Sequence, residues 1–110
     1  MAKYERRINR GVGEVISICH ETIIKGSMSA SFEDGSSFIH EGVRCEVRVY
    51  ERYSYLGGNR VSLNVSVIGD NNSCQVSCIT SGGSQAMFFK VNTFGETGFL
   101  NTLISRLESL

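Results

Sequence analysis

The residues of this chain that most resemble a chemical motif are two cysteines in the segment SCQVSCIT. Cys74 and Cys78 have the spacing of a C-x-x-x-C metal or redox pair. The segment also alternates apolar and polar residues and so predicts a β-strand, on which four residues span ~13 Å. A disulfide needs Cα atoms within ~7 Å, and zinc ligands must converge on one ion. We therefore predict that both thiols are small core residues, as are Cys19 and Cys45, which also fall on apolar faces.

The two histidines do not combine with a neighbour into a catalytic pair. Cys19 and His20 are adjacent, so on a helix their side chains diverge by about 100 degrees. His40 lies beside Glu41 in a segment without clear periodicity. No spacing therefore supports nucleophilic or acid–base chemistry, and we expect that the protein is not an enzyme.

Acidic and glycine-rich motifs give no better candidate. Glu33 and Asp34 could hold a hard cation, but two adjacent acids before a glycine are typical of a solvated hairpin tip. The sequence has no D-x-D-x-D-G calcium loop, no G-x-x-x-x-G-K-[ST] and no G-x-G-x-x-G. We expect no metal and no cofactor.

A group of polar residues continues the apolar phase of a predicted strand. The apolar side of VRCEVRVYERYSY begins with Val43, Cys45, Val47 and Val49. The same phase then reaches one carboxylate and two phenols, Glu51, Tyr53 and Tyr55. Either a β-bulge directs these three side chains towards solvent, which is the commoner arrangement, or the sheet opens into a cavity with polar groups at one end. The cavity is the ligand-pocket hypothesis that the sequence offers, because tyrosine combines apolar area with a polar tip.

The segment TSGGSQAMFF leaves two interpretations open. The small residues could be slack between two elements, or their backbone N–H groups could form an anion-holding nest. In the second case the candidate ligand-binding residues are Ser81, Gly82, Gly83, Ser84 and Gln85. An outward Phe88 in the following Met-Phe-Phe run is a candidate dimer contact.

Periodicity predicts the elements that position these residues. Residues 3–8 indicate a first strand, and apolar residues at helical spacing then predict a helix that ends at Gly26. The buried stripe of that helix is expected to be Val12, Val15, Ile16, Cys19 and Ile23. The next segment contains an Asp34-Gly35 turn signal and predicts a hairpin or a strand followed by a loop.

Three successive runs with a period of two follow, with turn residues between them. They predict an antiparallel meander over residues 43–80 with one buried and one wet face. The buried residues of the second and third runs are expected to be Val61, Leu63, Val65 and Val67, then Cys74, Val76, Cys78 and Thr80. MFFKV could add a strand, and a Thr93/Glu96 capping box begins a closing helix. Its apolar stripe is Phe99, Leu100, Leu103, Ile104 and Leu107.

We therefore predict one α+β domain over residues 1–110. The fold has two layers in the order strand, helix, four or five antiparallel strands, helix, with both helices packed on one face of the sheet. The wet face of the meander is predicted to carry Arg44, Arg48, Tyr50 and Arg60. It is a candidate interaction surface, although a face that stacks bases needs more aromatic residues than one tyrosine.

The order of elements resembles the fold shared by each half of the TATA-box-binding protein and the helix-grip proteins, in which a curved antiparallel sheet wraps a C-terminal helix. The chain lacks the paired aromatic wedges with which the TATA-box-binding protein kinks DNA. The stretches VRVYERYSYLGGNRVSLNV and ITSGGSQAMFFKVNTFGE resemble signature stretches of a small uncharacterised single-domain family of Firmicutes-type bacteria. Membership implies a fold and a source, and it implies no activity.

Composition restricts the class of protein. The chain is 41% hydrophobic and 20% charged, and its 11 basic residues balance its 11 acidic ones. It therefore lacks the overall field that steers a protein onto nucleic acid, and its neutrality favours a homo-oligomer. No run of ~18 apolar residues predicts a membrane span, and the charged start does not resemble a secretory signal, so we expect a cytoplasmic location.

These observations favour a non-enzymatic domain that binds an unknown small molecule between the sheet and the C-terminal helix. The predicted site lies near Glu51, Tyr53, Tyr55 and residues 81–85. The alternative is a module that uses the polar face of the sheet to bind a protein or, less favoured by the neutral charge, a nucleic acid.

Overall fold

The computed structural model describes residues 2–26, 29–54, 59–82 and 100–110. Five strands form one antiparallel sheet with two helices packed on it, which confirms the predicted two-layer α+β fold. The elements are β1 (Ala2–Ile8), α1 (Val12–Gly26), β2 (Ser31–His40), β3 (Val43–Ser54), β4 (Asn59–Gly69), β5 (Cys74–Gly82) and a helix over residues 100–108, here α2. The strand order is β1-β5-β4-β3-β2, so β1 and β2 lie at opposite edges.

The core lies between the helices and the side of the sheet that we call the inner face. The five predicted apolar residues of α1 are all buried, and so are Leu100, Leu103 and Leu107 of α2. The sheet contributes the predicted rows of β4 and β5, including Leu63 and Val65, which have no exposed area. Full burial of such a side chain contributes about 1.5–3 kcal/mol relative to exposure, so this layer supplies most of the stability.

Leu63 and Ile68 lie on opposite faces of β4 and allow the two faces to be compared directly. We expect Leu63→Ala to lower the free energy of unfolding by about 2–5 kcal/mol, because Leu63 is fully buried and leaves a cavity. Ile68 is 49% exposed, so Ile68→Ala should cost about 0.5 kcal/mol or less. Urea unfolding monitored by circular dichroism measures both, and equal losses would contradict the assignment of the two faces.

The Asp34-Gly35 turn predicted from the sequence is wrong. Both residues lie inside β2, and the turn to β3 is made by Glu41 and Gly42, which have φ angles of 50° and 80°. Phe32 pairs with Tyr50 and Asp34 with Val49, so the intervening residue forms a β-bulge. The Asp-Gly signal therefore marks an irregular point in a strand, where Asp34 Oδ1 accepts a hydrogen bond from the Gly35 N–H at 2.8 Å.

The predicted orientation of β3 is also wrong. Val43, Cys45, Val47 and Val49 were expected to be buried, yet Val43 is 42% exposed while Tyr50 is fully buried. The cause is the register, in which Tyr50 pairs with Leu63 and Arg48 with Val65. Directly paired residues point to the same face, so the core row of β4 fixes the polar row of β3 on the inner face. The four apolar residues of β3 lie on the opposite side, here the outer face.

The β4–β5 turn caps the start of α1. The Asp70 carboxylate accepts hydrogen bonds from the N–H groups of Asn72 at 2.8 Å and Ser73 at 3.0 Å. The Asp70 carbonyl accepts the N–H of Val12 at 2.9 Å, which satisfies one of the free donors of the first helical turn. The backbone donors of Asn72 and Ser73 lower the pKa of Asp70 because they stabilise its charged form.

This lowered pKa makes stability depend on pH in one direction. A carboxyl group whose folded pKa is depressed contributes stability above its unfolded pKa of about 3.9 and loses it as the pH falls through the folded value. We expect Asp70→Asn to melt at a lower temperature than the wild type at pH 7, with the difference shrinking below pH 4. Thermal unfolding between pH 2.5 and 7 measures it, and a difference independent of pH would contradict the role of this carboxylate.

No helix within the described part of the chain is long and apolar enough to cross a bilayer.

Candidate functional site

A row of charged and aromatic side chains lies on the inner face of β3, where an apolar row would be expected. Its members point to the same side as the buried row of β4: Arg44, Glu46, Arg48, Tyr50 and Arg52. A sheet with one covered face normally places such residues in water. The row follows β3 beside α1, and the neighbouring strand β2 is exposed along almost its whole length. We call the surface between α1 and β2 the inner cleft.

Glu46 is the acidic centre of this row. Its side chain is 5% exposed, and its Oε2 accepts hydrogen bonds from Arg44 Nε at 3.1 Å and from the Ser37 hydroxyl. Arg48 Nη2 lies 3.8 Å from its other oxygen. A buried carboxylate is costly unless it is paired in this way, so Glu46 and the two guanidinium groups hold one another in place.

Tyr50 connects the arginines to α1. Its hydroxyl lies 2.8 Å from His20 Nδ1, and its side chain is also hydrogen-bonded to Arg48. Arginine only donates, so the tyrosine oxygen accepts from Arg48 and its own proton is left for His20. In this arrangement His20 accepts at Nδ1. Burial raises the pKa of Tyr50, an effect that the nearby Arg48 partly offsets, so the phenol stays protonated.

Three aromatic rings form one wall of the inner cleft. The centroid of Phe32 lies 5.9 Å from that of His20 and 5.7 Å from that of Tyr50, with interplanar angles of 70° and 64°. These are edge-to-face contacts, the geometry that aromatic pairs prefer. Phe32 is 47% exposed, so this wall offers apolar area to solvent beside the arginines.

Arg44 and Arg48 share the single carboxylate of Glu46 and remain accessible. Their side chains are 41% and 29% exposed. Gly13 in the first turn of α1 makes room for Arg44, since a Cβ there would stand 3.0 Å from its Nη1. The guanidinium thus lies beside the positive end of the helix dipole, and both favour an anion. Burial lowers the pKa of Arg52.

Comparison with known proteins places the chain in a family. The model of a family of unknown function, DUF6054, matches residues 1–110. The chain belongs to this family. No curated protein matches it. A crystal structure of TTHA0849 from Thermus thermophilus is similar over 98% of this chain and 97% of that one, at 11% identity and a TM-score of 0.33. A likeness this distant supports no conclusion about fold or function.

This match confirms the predicted membership of a family of unknown function. The Firmicutes source and the likeness to the TATA-box-binding protein and helix-grip folds stay predictions.

The described residues among those predicted to bind a ligand are not gathered under the helices. Glu51 and Tyr53 lie on the outer face, where Glu51 Oε1 is 2.9 Å from Arg60 Nε and Tyr53 is 49% exposed. Ser81 also lies on the outer face. Its hydroxyl is 3.0 Å from the hydroxyl of Ser62, and Ser62 pairs with Glu51 across the β3–β4 ladder. Gly82 ends β5 with a φ of 118°. The remaining predicted residues lie outside the described ones: Tyr55, Gly83, Ser84 and Gln85.

The predicted interaction surface is divided between the two faces. Arg44, Arg48 and Tyr50 were expected on the wet face and lie on the inner face, because the register of β3 is opposite to the predicted one. Arg60 is on the outer face as predicted, where it lies near two carboxylates, those of Glu51 and Glu33. Phe88 lies outside the described residues.

Five members of the inner cleft are absent from the site residues predicted from the sequence: His20, Phe32, Ser37, Glu46 and Arg52. The alternation of β3 contained the signal, since it set Arg44, Glu46 and Arg48 apart on one face. The side of β3 that carries the arginines was assigned to solvent because apolar residues occupy the opposite side of the strand. The contacts of His20 and Phe32 depend on tertiary packing and have no local signal.

The cysteines are free, as predicted for Cys74 and Cys78. Cys19, Cys74 and Cys78 are buried, whereas Cys45 is half-buried on the outer face and is not the core residue that was expected. Burial raises the pKa of the Cys19 thiol to about 12 and also raises that of Cys78. Among the described residues, no group of three or more His, Cys, Asp or Glu side chains could hold a metal ion.

A depression lies at the connection between β1 and α1. It has a volume of about 580 Å³, and its lining includes Arg6, Arg7 and Arg10. Two of these arginines already have carboxylate partners, since Arg6 pairs with Glu108 and Arg10 lies 2.6 Å from Glu14. Its charges are thus largely compensated, so the inner cleft is the stronger candidate.

We expect iodoacetamide to modify Cys45 in the native protein and to spare Cys19 and Cys78. The reactive species is the thiolate, which burial suppresses at the last two positions, so Cys45 should react at least about 100-fold faster at pH 8. Peptide mass spectrometry measures the extent of modification at each site, and denatured protein, in which all four thiols react, is the control. Equal native rates at Cys19 and Cys45 would contradict this assignment of burial.

Proposed function

We propose that this chain is a binding domain for a small organic anion, which it holds in the inner cleft. The observation that carries the proposal is the pair of arginines, Arg44 and Arg48, that shares the one carboxylate of Glu46 on the helix-covered side of β3 and is still partly exposed. Two guanidinium groups that share one carboxylate keep hydrogen-bond donors for a further anion.

Arginine chemistry defines the charged part of the ligand. Each guanidinium has five donors in a planar fork, and Glu46 takes few of those that Arg44 and Arg48 offer. Glu46 orients both groups, so little conformational entropy is lost when an anion binds. A planar fork matches carboxylate and phosphate oxygens, and these two are the anions that we expect.

The aromatic wall defines the rest of the ligand. Phe32 is half exposed and stacks edge-to-face on His20 and Tyr50, so it offers apolar area next to the charges. Small-molecule sites combine such area with a few placed polar groups. We therefore infer a ligand with an apolar or aromatic body and one anionic group.

The proposed function is binding and not catalysis. The thiol nearest to the network, Cys19, is buried with a raised pKa, which makes it a poor nucleophile. His20 is engaged through Nδ1 with Tyr50. Free thiols fit the proposed cytoplasmic location.

A second candidate function is protein interaction through the outer face. Several large apolar side chains are exposed there, among them Phe38 at 50% and Ile68 at 49%. Exposed apolar groups of this kind mark contact surfaces more often than nucleic-acid sites. The nucleic-acid alternative loses support, because Arg44 and Arg48 do not lie on this face.

Titration calorimetry with phenyl phosphate and benzoate tests the anion site. We expect the wild type to bind at least one of them, and Arg44→Gln to weaken that binding about ten-fold or more, since a hydrogen bond to a charged group contributes about 1.5–3 kcal/mol. Benzyl alcohol, which lacks the charge, should bind weakly or not at all.

Arg60→Gln is the matched control, because Arg60 also lies beside a carboxylate but on the outer face. It should leave anion binding unchanged, and the melting temperature of each variant shows that it is folded. Absence of anion binding by the wild type, or equal losses in the two variants, would overturn the proposal.

A further inference from the structure

Strand β2 lies at one edge of the sheet that the described residues form. It pairs with β3 on one side, and no described strand pairs with its other side. Nine of its ten residues are exposed. Such an edge presents free N–H and C=O groups that can pair with a further strand.

The two edges of the sheet differ in how they are protected. β1 carries Lys3, Glu5, Arg6 and Arg7 within seven residues, and charges of this density discourage pairing. In β2, the stretch Gly35–Ile39 contains no charged residue and no proline. Ile39 is 71% exposed and Phe38 50%. Strand β2 is therefore the edge that is fit for pairing.

The regular part of β2 is symmetric about Ser37. It begins at Asp34, directly after the β-bulge, and ends at His40, directly before the turn at Glu41 and Gly42. Ser37 is the midpoint of these seven residues. A two-fold axis through Ser37 would therefore use the whole regular stretch of both strands.

We propose that two copies of this chain join edge to edge through antiparallel β2 strands, with Ser37 opposite the partner's Ser37. Asp34 then faces the partner's His40, and the Asp34 carboxylate accepts a hydrogen bond from that imidazole. This bond replaces the 4.0 Å contact that His40 makes with Glu41 of its own chain. Gly35, which has no side chain, faces the partner's Ile39, and Ser36 faces the partner's Phe38. Every large residue meets a small one, and the single acid meets the histidine.

The pairing makes one ten-stranded sheet from two five-stranded ones. Opposite residues share a face, so the outer faces of the two copies become continuous and the two inner clefts lie on the same side. The formal net charge of zero removes the repulsion that would oppose such a dimer. The dimer does not depend on the anion proposal, since none of the pairs involves Arg44 or Arg48.

Disulfide cross-linking tests the register. Directly opposite Cα atoms are ~4.5–5.5 Å apart, within the range of a disulfide, whereas residues offset by four positions are ~13 Å apart. In a Cys45→Ser background, Ser37→Cys should give a covalent dimer on mild oxidation and Ile39→Cys should not. Cross-linking of both variants, of neither, or of Ile39→Cys alone would overturn the proposal.

The mass of the protein in solution tests whether the edge of β2 forms a dimer. Light scattering at about 100 μM should give twice the monomer mass of 12.1 kDa for the wild type. Ile39→Lys should weaken the dimer about ten-fold or more, because it places a cation on the paired edge. Ile68→Lys is the control on the outer face, where Ile68 is 49% exposed, and should leave the dimer intact.

Two results would contradict a dimer formed through the edge of β2. The first is a monomeric wild type at this concentration. The second is a dimer that Ile68→Lys dissociates and Ile39→Lys does not, since the contact would then lie on the outer face.

Discussion

The register between β3 and β4 is the constraint on which the rest of this structure depends. Tyr50 pairs with Leu63, and the row that contains Leu63 is buried under the helices. Because paired residues share a face, this one pairing sends the arginines of β3 inward and its valines outward. A shift by one residue would bury the valines and place Arg44, Arg48 and Tyr50 in water, and the inner cleft would not exist.

The register links the two surfaces for which we propose functions. On the inner face, Glu46 pairs with Arg44 and Arg48. Arg44 lies beside the first turn of α1, and Arg48 is hydrogen-bonded to Tyr50 of the aromatic wall. On the outer face, apolar residues are left exposed across several strands. β2 borders both surfaces, so pairing of its free edge would extend each of them across the two-fold axis.

The sequence predicted those parts of the fold in which apolar residues recur at the period of one secondary structure and polar residues occupy the other positions. The apolar stripe of α1 and the rows of β4 and β5 contrast sharply with their polar neighbours, and the structure buries them as predicted. β3 alternates just as clearly, but alternation separates two faces without stating which one meets the core. That choice depends on the register with its partner strand. The candidate site could not be found for the same reason, since it consists of the side of β3 that had been assigned to solvent.

The orientation of β3 can be measured directly by nuclear Overhauser effects in the isotope-labelled protein. The account predicts contacts from the ring protons of Tyr50 to the methyl groups of Leu63 and to the ring of His20, with the methyl groups of Val47 and Val49 distant from α1. Contacts between Val47 or Val49 and the buried residues of α1, with Tyr50 free of them, would contradict it.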